Sequence, residues 1–274
     1  MLLPGYYYQL TINRIDSSGV WLDGAGEEIL LPHRESPTES QTGDMVTVFL
    51  YLDRSHTMRA TTRKAAAQVG EYAFLQVKDK GPQGAFLDWG IAKDLLAPVK
   101  EQSEPMQIDR RYLVRVCHDQ QHRPMASARL EKYLFEENRD LRQGDQVELI
   151  VWMFTDLGTK VIVNHLYSGL VYSDDLIPGL KCGDKLTGYI AKIRPDGKLD
   201  ISLQPAGIAG IDSACELLLA RLKQQELIEL TDQSPPEAIR SQLGISKKLF
   251  KKAVGHLYKE GRITLTPAGI RLIR

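Results

Sequence analysis

The stretch Gly183–Leu203, GDKLTGYIAKIRPDGKLDISL, decides how the rest of the chain is read. Leu199, Ile201 and Leu203 alternate with Lys198, Asp200 and Ser202, the period-2 pattern of a strand with one buried face. Just before it, Pro195-Asp196-Gly197 is a turn: proline presets φ, aspartate bonds nearby backbone, and glycine accepts a positive φ. The run from about Lys185 to Arg194 is rich in Ile, Tyr, Thr and Leu and suits a second strand. Gly188 within it predicts a bulge or a bend. A hairpin with one bent strand is the closing piece of a small barrel.

A similar hairpin begins at Gly43 (GDMVTVFLYLDRSHTMRATTRK) and a third at Ile108 (IDRRYLVRVCHDQQHRPMASARLE). Upstream of the three copies lie SSGVWLDGAGEEILLPHRE from Ser17, GPQGAFLDWGIAKDLLAPVKE from Gly81 and DLGTKVIVNHLYSGLVYSDD from Asp156. Each has a glycine, a short apolar strand, a turn and a further strand. One more strand opens each module: Tyr6 to Arg14, Glu71 to Lys78 and Asp145 to Phe154. Five strands with a longer connection between the third and fourth fit an OB-type barrel, made three times. Propeller blades do not fit, because three are too few to close and a blade has four strands.

The texture changes after Gln204-Pro205. DSACELLLARLKQQ places Leu217, Leu218 and Leu222 on one helical face, with Asp212 as N-cap. SPPEAIRSQLG predicts a second helix with Ser234 as N-cap in a capping box and Gly244 as its end. SKKLFKKAVGHLYKEG predicts a third from Ser246, and RITLTPAGIRLIR a hairpin turning at Thr266-Pro267-Ala268-Gly269. Helices followed by a hairpin are the order of a winged helix. The expected fold is therefore mainly β with an α+β C-terminal domain: OB-fold five-stranded barrels at 1–64, 65–138 and 139–206, and a winged helix at 207–274.

Composition narrows the function. Formal net charge is zero, so a basic surface must be local. From Asp212 onward there are eleven Lys and Arg against seven Asp and Glu. Lys247, Lys248, Lys251 and Lys252 crowd the third helix, where they can neutralise phosphates. No apolar run is long enough for a membrane span and no leader pattern opens the chain, so a cytoplasmic protein is expected. Cys117, Cys182 and Cys215 lack metal-ligand spacing, and Cys117-His118 with His122 finds no partner at such spacing. The adjacent acids Asp174-Asp175 and Glu136-Glu137 are expected to diverge, as neighbours in a strand or loop usually do, rather than pair for acid–base work. No phosphate loop or nucleophile elbow is present. A non-enzymatic protein without cofactor or metal is expected.

GPQGAFLDWG…LLAPVKE resembles the S1 RNA-binding domain, a variety of OB-fold, and the run from Thr155 to Gly207 resembles the third S1-like module of the conserved virulence factor B family of bacterial RNA-binding proteins. The resemblance covers essentially the whole chain and implies three S1-like domains and a winged helix. It also implies that bases stack on aromatics of strands two and three while basic side chains hold phosphates. Carried over by residue, that gives Tyr172, Lys192, Arg194 and Lys198 in the third module, Phe86 in the second and Trp21 in the first. Departures are plain: Gln83 and Pro98 replace family positions in the second module, and Pro32 one in the first. Trp89 and Trp152 are expected to be structural, and at most two of Tyr6-Tyr7-Tyr8 can share a face. The leading function is single-stranded RNA binding in a regulatory role. The alternatives are an adaptor for a ribosomal, transcription or RNA-decay protein, and a duplex-DNA regulator acting through the winged helix.

Overall fold

The computed structural model describes residues 2–273 apart from Glu136, Arg139, Asp174, Asp175, Ile177, Pro178, Ala206 and Gly207. Two compact units divide it, Met1–Tyr133 and Leu134–Arg274. Unit 1 begins with β1 (Tyr7–Asp16), β2 (Gly19–Asp23), β3 (Glu28–Pro32), β4 (Met45–Leu52) and β5 (Met58–Thr61), which close a barrel in the order β1-β2-β3-β5-β4. Then come β6 (Tyr72–Gly81), β7 (Gly84–Leu87), β8 (Leu95–Pro98), β9 (Arg111–His118) and β10 (Pro124–Ser127). These make a five-stranded sheet of order β10-β9-β6-β7-β8, the same barrel lacking only the ladder between β8 and β10.

That seam is closed around Glu101, in the helical turn after β8. Its carboxylate accepts a hydrogen bond from the Ser127 hydroxyl of β10 at 2.7 Å and pairs with Lys132 at 3.0 Å. Its carbonyl accepts from the Ala128 amide at 2.8 Å, and Gln102 braces the turn itself by donating to the Ala97 carbonyl at 2.9 Å. The first barrel repeats the device, with Glu35 bonded to Thr61 and paired with Arg63 at 3.0 Å.

The two barrels of unit 1 share a core. In β4, Val46, Val48 and Leu50 point into the first barrel. The alternate residues Phe49 and Tyr51 point out and pack with Trp89, Leu95 and Val114 of the second. Tyr7, Phe49 and Trp89 form an edge-to-face chain with centroids 4.9 and 5.1 Å apart. Trp89 donates its indole N–H to the Ala67 carbonyl at 2.8 Å, which confirms its structural role. The tyrosine run builds no stacking platform. The Tyr7 hydroxyl accepts from the Ala65 amide, that of Tyr8 from the Leu3 amide, and Tyr6 meets His118 edge-on.

In unit 2, β11 (Gln146–Thr155), β12 (Gly158–Val163), β13 (Tyr167–Tyr172), β14 (Lys185–Ile193) and β15 (Leu199–Ser202) close a third barrel in the same order as the first. Gly197 takes φ 78° in the turn before β15, as its sequence demands. The bulge, however, lies at Ile190/Lys192 rather than at Gly188. Gly188 is there because a Cβ would collide with Leu149 and crowd the Ser202 carbonyl.

Then follow α1 (Ile208–Gln224), β16 (Leu227–Ile228), α2 (Pro236–Leu243), α3 (Lys247–Lys259), β17 (Ile263–Thr266) and β18 (Gly269–Leu272), with β18 between β16 and β17. α1 starts before Asp212, which lies inside it and caps nothing. The expected capping box at Ser234 does not form either. Its hydroxyl accepts from the Thr231 amide at 2.9 Å, and Pro235 takes the N-cap position without a side-chain bond. The other helix ends follow the sequence: Gly244 ends α2 at φ 67°, and the Ser246 hydroxyl accepts from the Leu249 amide of α3. Leu218, Leu222, Ile239, Phe250, Ala253 and Leu257 fill the core beneath the hairpin. Among the described residues, no helix is long and apolar enough to cross a membrane.

Candidate nucleic-acid interface

Tyr172 ends β13 on the outer face of the third barrel, opposite Gly158 of β12, and is 39% exposed. Arg194, just past β14, donates to the Tyr172 hydroxyl at 2.6 Å and to Asp200 of β15 through Nε at 2.8 Å. The Tyr172 hydroxyl reaches the same Asp200 oxygen at 3.4 Å. Hydrogen bonding to Asp200 raises the Arg194 pKa further. The triad pins the polar end of the ring and leaves the ring exposed. Asp200 takes up part of the Arg194 charge.

The other two residues expected in this site are Lys192, exposed on β14, and Lys198, exposed and paired with Asp196 at 3.0 Å. The structure therefore brings Tyr172 and Arg194 together, sets Lys192 across the ladder from Asp200, and ties Lys198 to Asp196. Two features were missed in the sequence. Asp200 holds the triad; its outward place in the Lys198–Leu203 alternation was the available signal. Leu157, 72% exposed, lies beside Tyr172, with its carbonyl accepting from the Ser173 amide. Asp174, Asp175 and Glu136 lie outside the described residues.

Phe86 is half-buried on the outer face of β7, in a groove of about 550 Å³ that also holds Gln83 and Pro98. Trp21 offers less. Arg14 stacks over its ring at 4.4 Å, itself bonded to Asp16 and Glu28, and Trp21 donates its indole N–H to Asp16 at 2.8 Å. One face of the ring is thus already covered. Lys248, Lys251 and Lys252 are exposed on α3 and Lys247 is half-buried at its start. His256 pairs with Glu260 at 3.2 Å along the same helix.

Cys117 is buried, and burial pushes its thiol up. Its sulfur accepts from the Tyr133 hydroxyl at 3.3 Å, while burial and that contact push Tyr133 up to about 12. His118 bonds the Pro4 carbonyl at 2.8 Å. Among the described residues, no three His, Cys, Asp or Glu converge as a metal site.

The fold and its surface define a class first: a modular protein of S1-type barrels ending in a winged helix. Residues 4–63 match the S1 domain family model, and residues 216–272 match the CvfB-like winged helix domain. The S1 match falls on the first barrel, whereas the third carried the resemblance in sequence. The resemblance to the conserved virulence factor B family holds across most of the chain. It is 25% identical over 258 residues to conserved virulence factor B of Staphylococcus saprophyticus, covering 90% of this chain and 86% of the relative. It is 26% identical over 271 residues to protein YitL of Bacillus subtilis, covering 95% and 90%. A crystal structure of a multidomain protein with nucleic acid binding domains from Streptococcus pneumoniae aligns over 98% of both chains at 22% identity, with a TM-score of 0.43. S1 and winged-helix domains are nucleic-acid-binding types that typically lack enzymatic activity.

Proposed function

We propose that the chain binds single-stranded RNA, as a non-catalytic post-transcriptional regulator, through base stacking and phosphate contacts. The observation that carries this is the Tyr172–Arg194–Asp200 triad. A ring that is partly exposed and whose hydroxyl is fixed by Arg194 and Asp200 is a ready stacking surface, since little side-chain freedom remains to be lost on binding. Arg194 acts as a positioning residue. Lys192 and Lys198 on the same barrel, and Lys247, Lys248, Lys251 and Lys252 on α3, supply phosphate contacts. Single strands are preferred because stacking needs bases free of a duplex.

The test is fluorescence anisotropy with labelled single-stranded RNA, single-stranded DNA and duplex DNA at two salt concentrations, using the full chain and its Tyr172→Ala/Lys198→Ala variant. Salt-sensitive RNA binding that the variant loses is expected. Absence of binding to all three at low salt would overturn the proposal and favour the protein-adaptor role.

A further inference from the structure

We infer that the end of α2 is a clasp on the third barrel, through which the winged helix sets the Tyr172 triad from behind. Gln204 and Arg240 are the positioning residues of this clasp. The inference rests on the proposed role of Tyr172 and adds a means by which a neighbouring domain governs that site.

The strands that carry the triad leave the barrel together. β13 and β15 run parallel and side by side, with Leu170 next to Asp200, so both exit at the same end. Each is caught there by α2. The Ser173 carbonyl, one residue past Tyr172, accepts from Arg240 Nη1 at 3.4 Å. Gln204, two residues past β15, donates through Nε2 to the Gly244 carbonyl at 2.9 Å. The Gly244 amide in turn donates to the Arg240 carbonyl at 2.8 Å, so both tethers land on one helical turn.

The junction has little slack. Gln204 is held by Ser202, whose hydroxyl accepts from the Gln204 amide at 3.1 Å and donates to its carbonyl at 2.8 Å. Leu176 and Leu203 fringe the barrel core, and Ile245 belongs to the core of the winged helix. The cavity these three line holds about 10 Å³, room for about one water. Gly210 adds a restraint: a Cβ there would collide with the Pro205 carbonyl oxygen, so α1 starts hard against the exit of β15. A packed junction of this kind passes a displacement on rather than absorbing it.

The clasp also lies next to α3. Ser246, two residues past Gly244, is the N-cap of α3, and Lys247 follows it. Whatever moves the start of α3 therefore acts on the Gly244 carbonyl and, through Gln204, on the strand that carries Asp200. Coupling is reciprocal: a ligand that steadies Tyr172 must steady the turn between α2 and α3 to the same degree.

The experiment uses the full chain and its Gln204→Met/Arg240→Met variant. Methionine keeps the length of each side chain and removes its donor. The barrel and the winged helix keep their own cores, so thermal melts should stay close to those of the unaltered chain. Hydrogen exchange should quicken in peptides 167–173 and 244–249. Affinity for single-stranded RNA, read by anisotropy, should fall about 5-fold, the lower end of measured couplings between sites. The salt slope should not change; a slope smaller by about 1 would mean that Arg240 holds a phosphate itself and would overturn the inference. A second chain keeps the clasp but carries alanine at Lys247, Lys248, Lys251 and Lys252. RNA should still slow exchange at 244–249 there, although the lysines no longer touch it, and absence of that protection would also overturn the inference. Unchanged affinity in the methionine variant, with Tyr172→Ala still impaired, would overturn the clasp and leave the proposed function standing. No RNA binding by the unaltered chain would overturn both.

Discussion

Tyr172 and Arg194 hold one another, so their substitutions should differ in kind. Tyr172→Ala removes the ring and is expected to weaken single-stranded RNA binding on the order of 10-fold. Arg194→Ala keeps the ring but leaves its hydroxyl only the 3.4 Å bond to Asp200, so a smaller loss is expected, with more mobility at Tyr172. Anisotropy titration gives the first effect and aromatic side-chain relaxation the second. Equal losses for the two variants would argue that Arg194 itself touches the ligand. A glycine sets the other residue-scale constraint. Gly84 opens β7 at φ 150°, and a Cβ there would run into the Ala97 carbonyl oxygen of β8. Gly19 and Gly158 stand at the same point of the other barrels, against the Leu31 and Val171 carbonyls. Gly84→Ala should therefore destabilise unit 1 by about 2 kcal/mol or more, measured by denaturant unfolding.

Among the elements, the seam of the second barrel relies on Glu101 where a strand ladder is missing. Burial pushes its carboxyl up, but the Ser127 hydroxyl and Lys132 ammonium more than offset this and hold it below the ordinary carboxylate value. A carboxyl depressed in the folded state stabilises it above the unfolded pKa, about 4.3, and loses that contribution as pH falls through the folded value. Glu101→Gln is expected to lower stability at neutral pH by about 1–2 kcal/mol and to flatten part of the acid fall below about pH 4. Thermal melts of both chains from neutral to acid pH check this, and parallel curves would remove Glu101 from the account.

The strands and the α3 cap were legible in sequence because alternation and side-chain caps are local signals. The Asp212 and Ser234 caps misled for a physical reason. α1 extends upstream of Asp212, and the Ser234 hydroxyl finds a nearer donor in the Thr231 amide. Tyr172, Arg194 and Phe86 were named from the sequence. Asp200 and the seam bonds were not, because each joins residues from separate strands and only folding defines its partner.

At the scale of the molecule, the shared core makes Trp89 a test of how unit 1 unfolds. Trp89→Ala should cost about 3–5 kcal/mol and lower the melting of both barrels together, followed by hydrogen exchange in β4 and β9. Protection lost in β9 alone would show that the barrels unfold separately. That result would support the proposed domain division after residue 64. Within unit 2, Lys247, Lys248, Lys251 and Lys252 fall in the first half of α3, three of them exposed. Their joint replacement by alanine is expected to reduce the salt slope of RNA binding by up to about 3 while leaving stacking intact. An unchanged slope would assign α3 to protein contacts.

The outward faces of β4 also bear on how the chain is made. Val46, Val48 and Leu50 find their partners within the first barrel, but Phe49 and Tyr51 must wait for Trp89 and the strands around it. On a ribosome the first barrel therefore emerges with an aromatic patch still uncovered, and synthesis of the second barrel covers it. A chain arrested between the two would be sticky, so the order of translation itself becomes part of how unit 1 stays soluble while it folds.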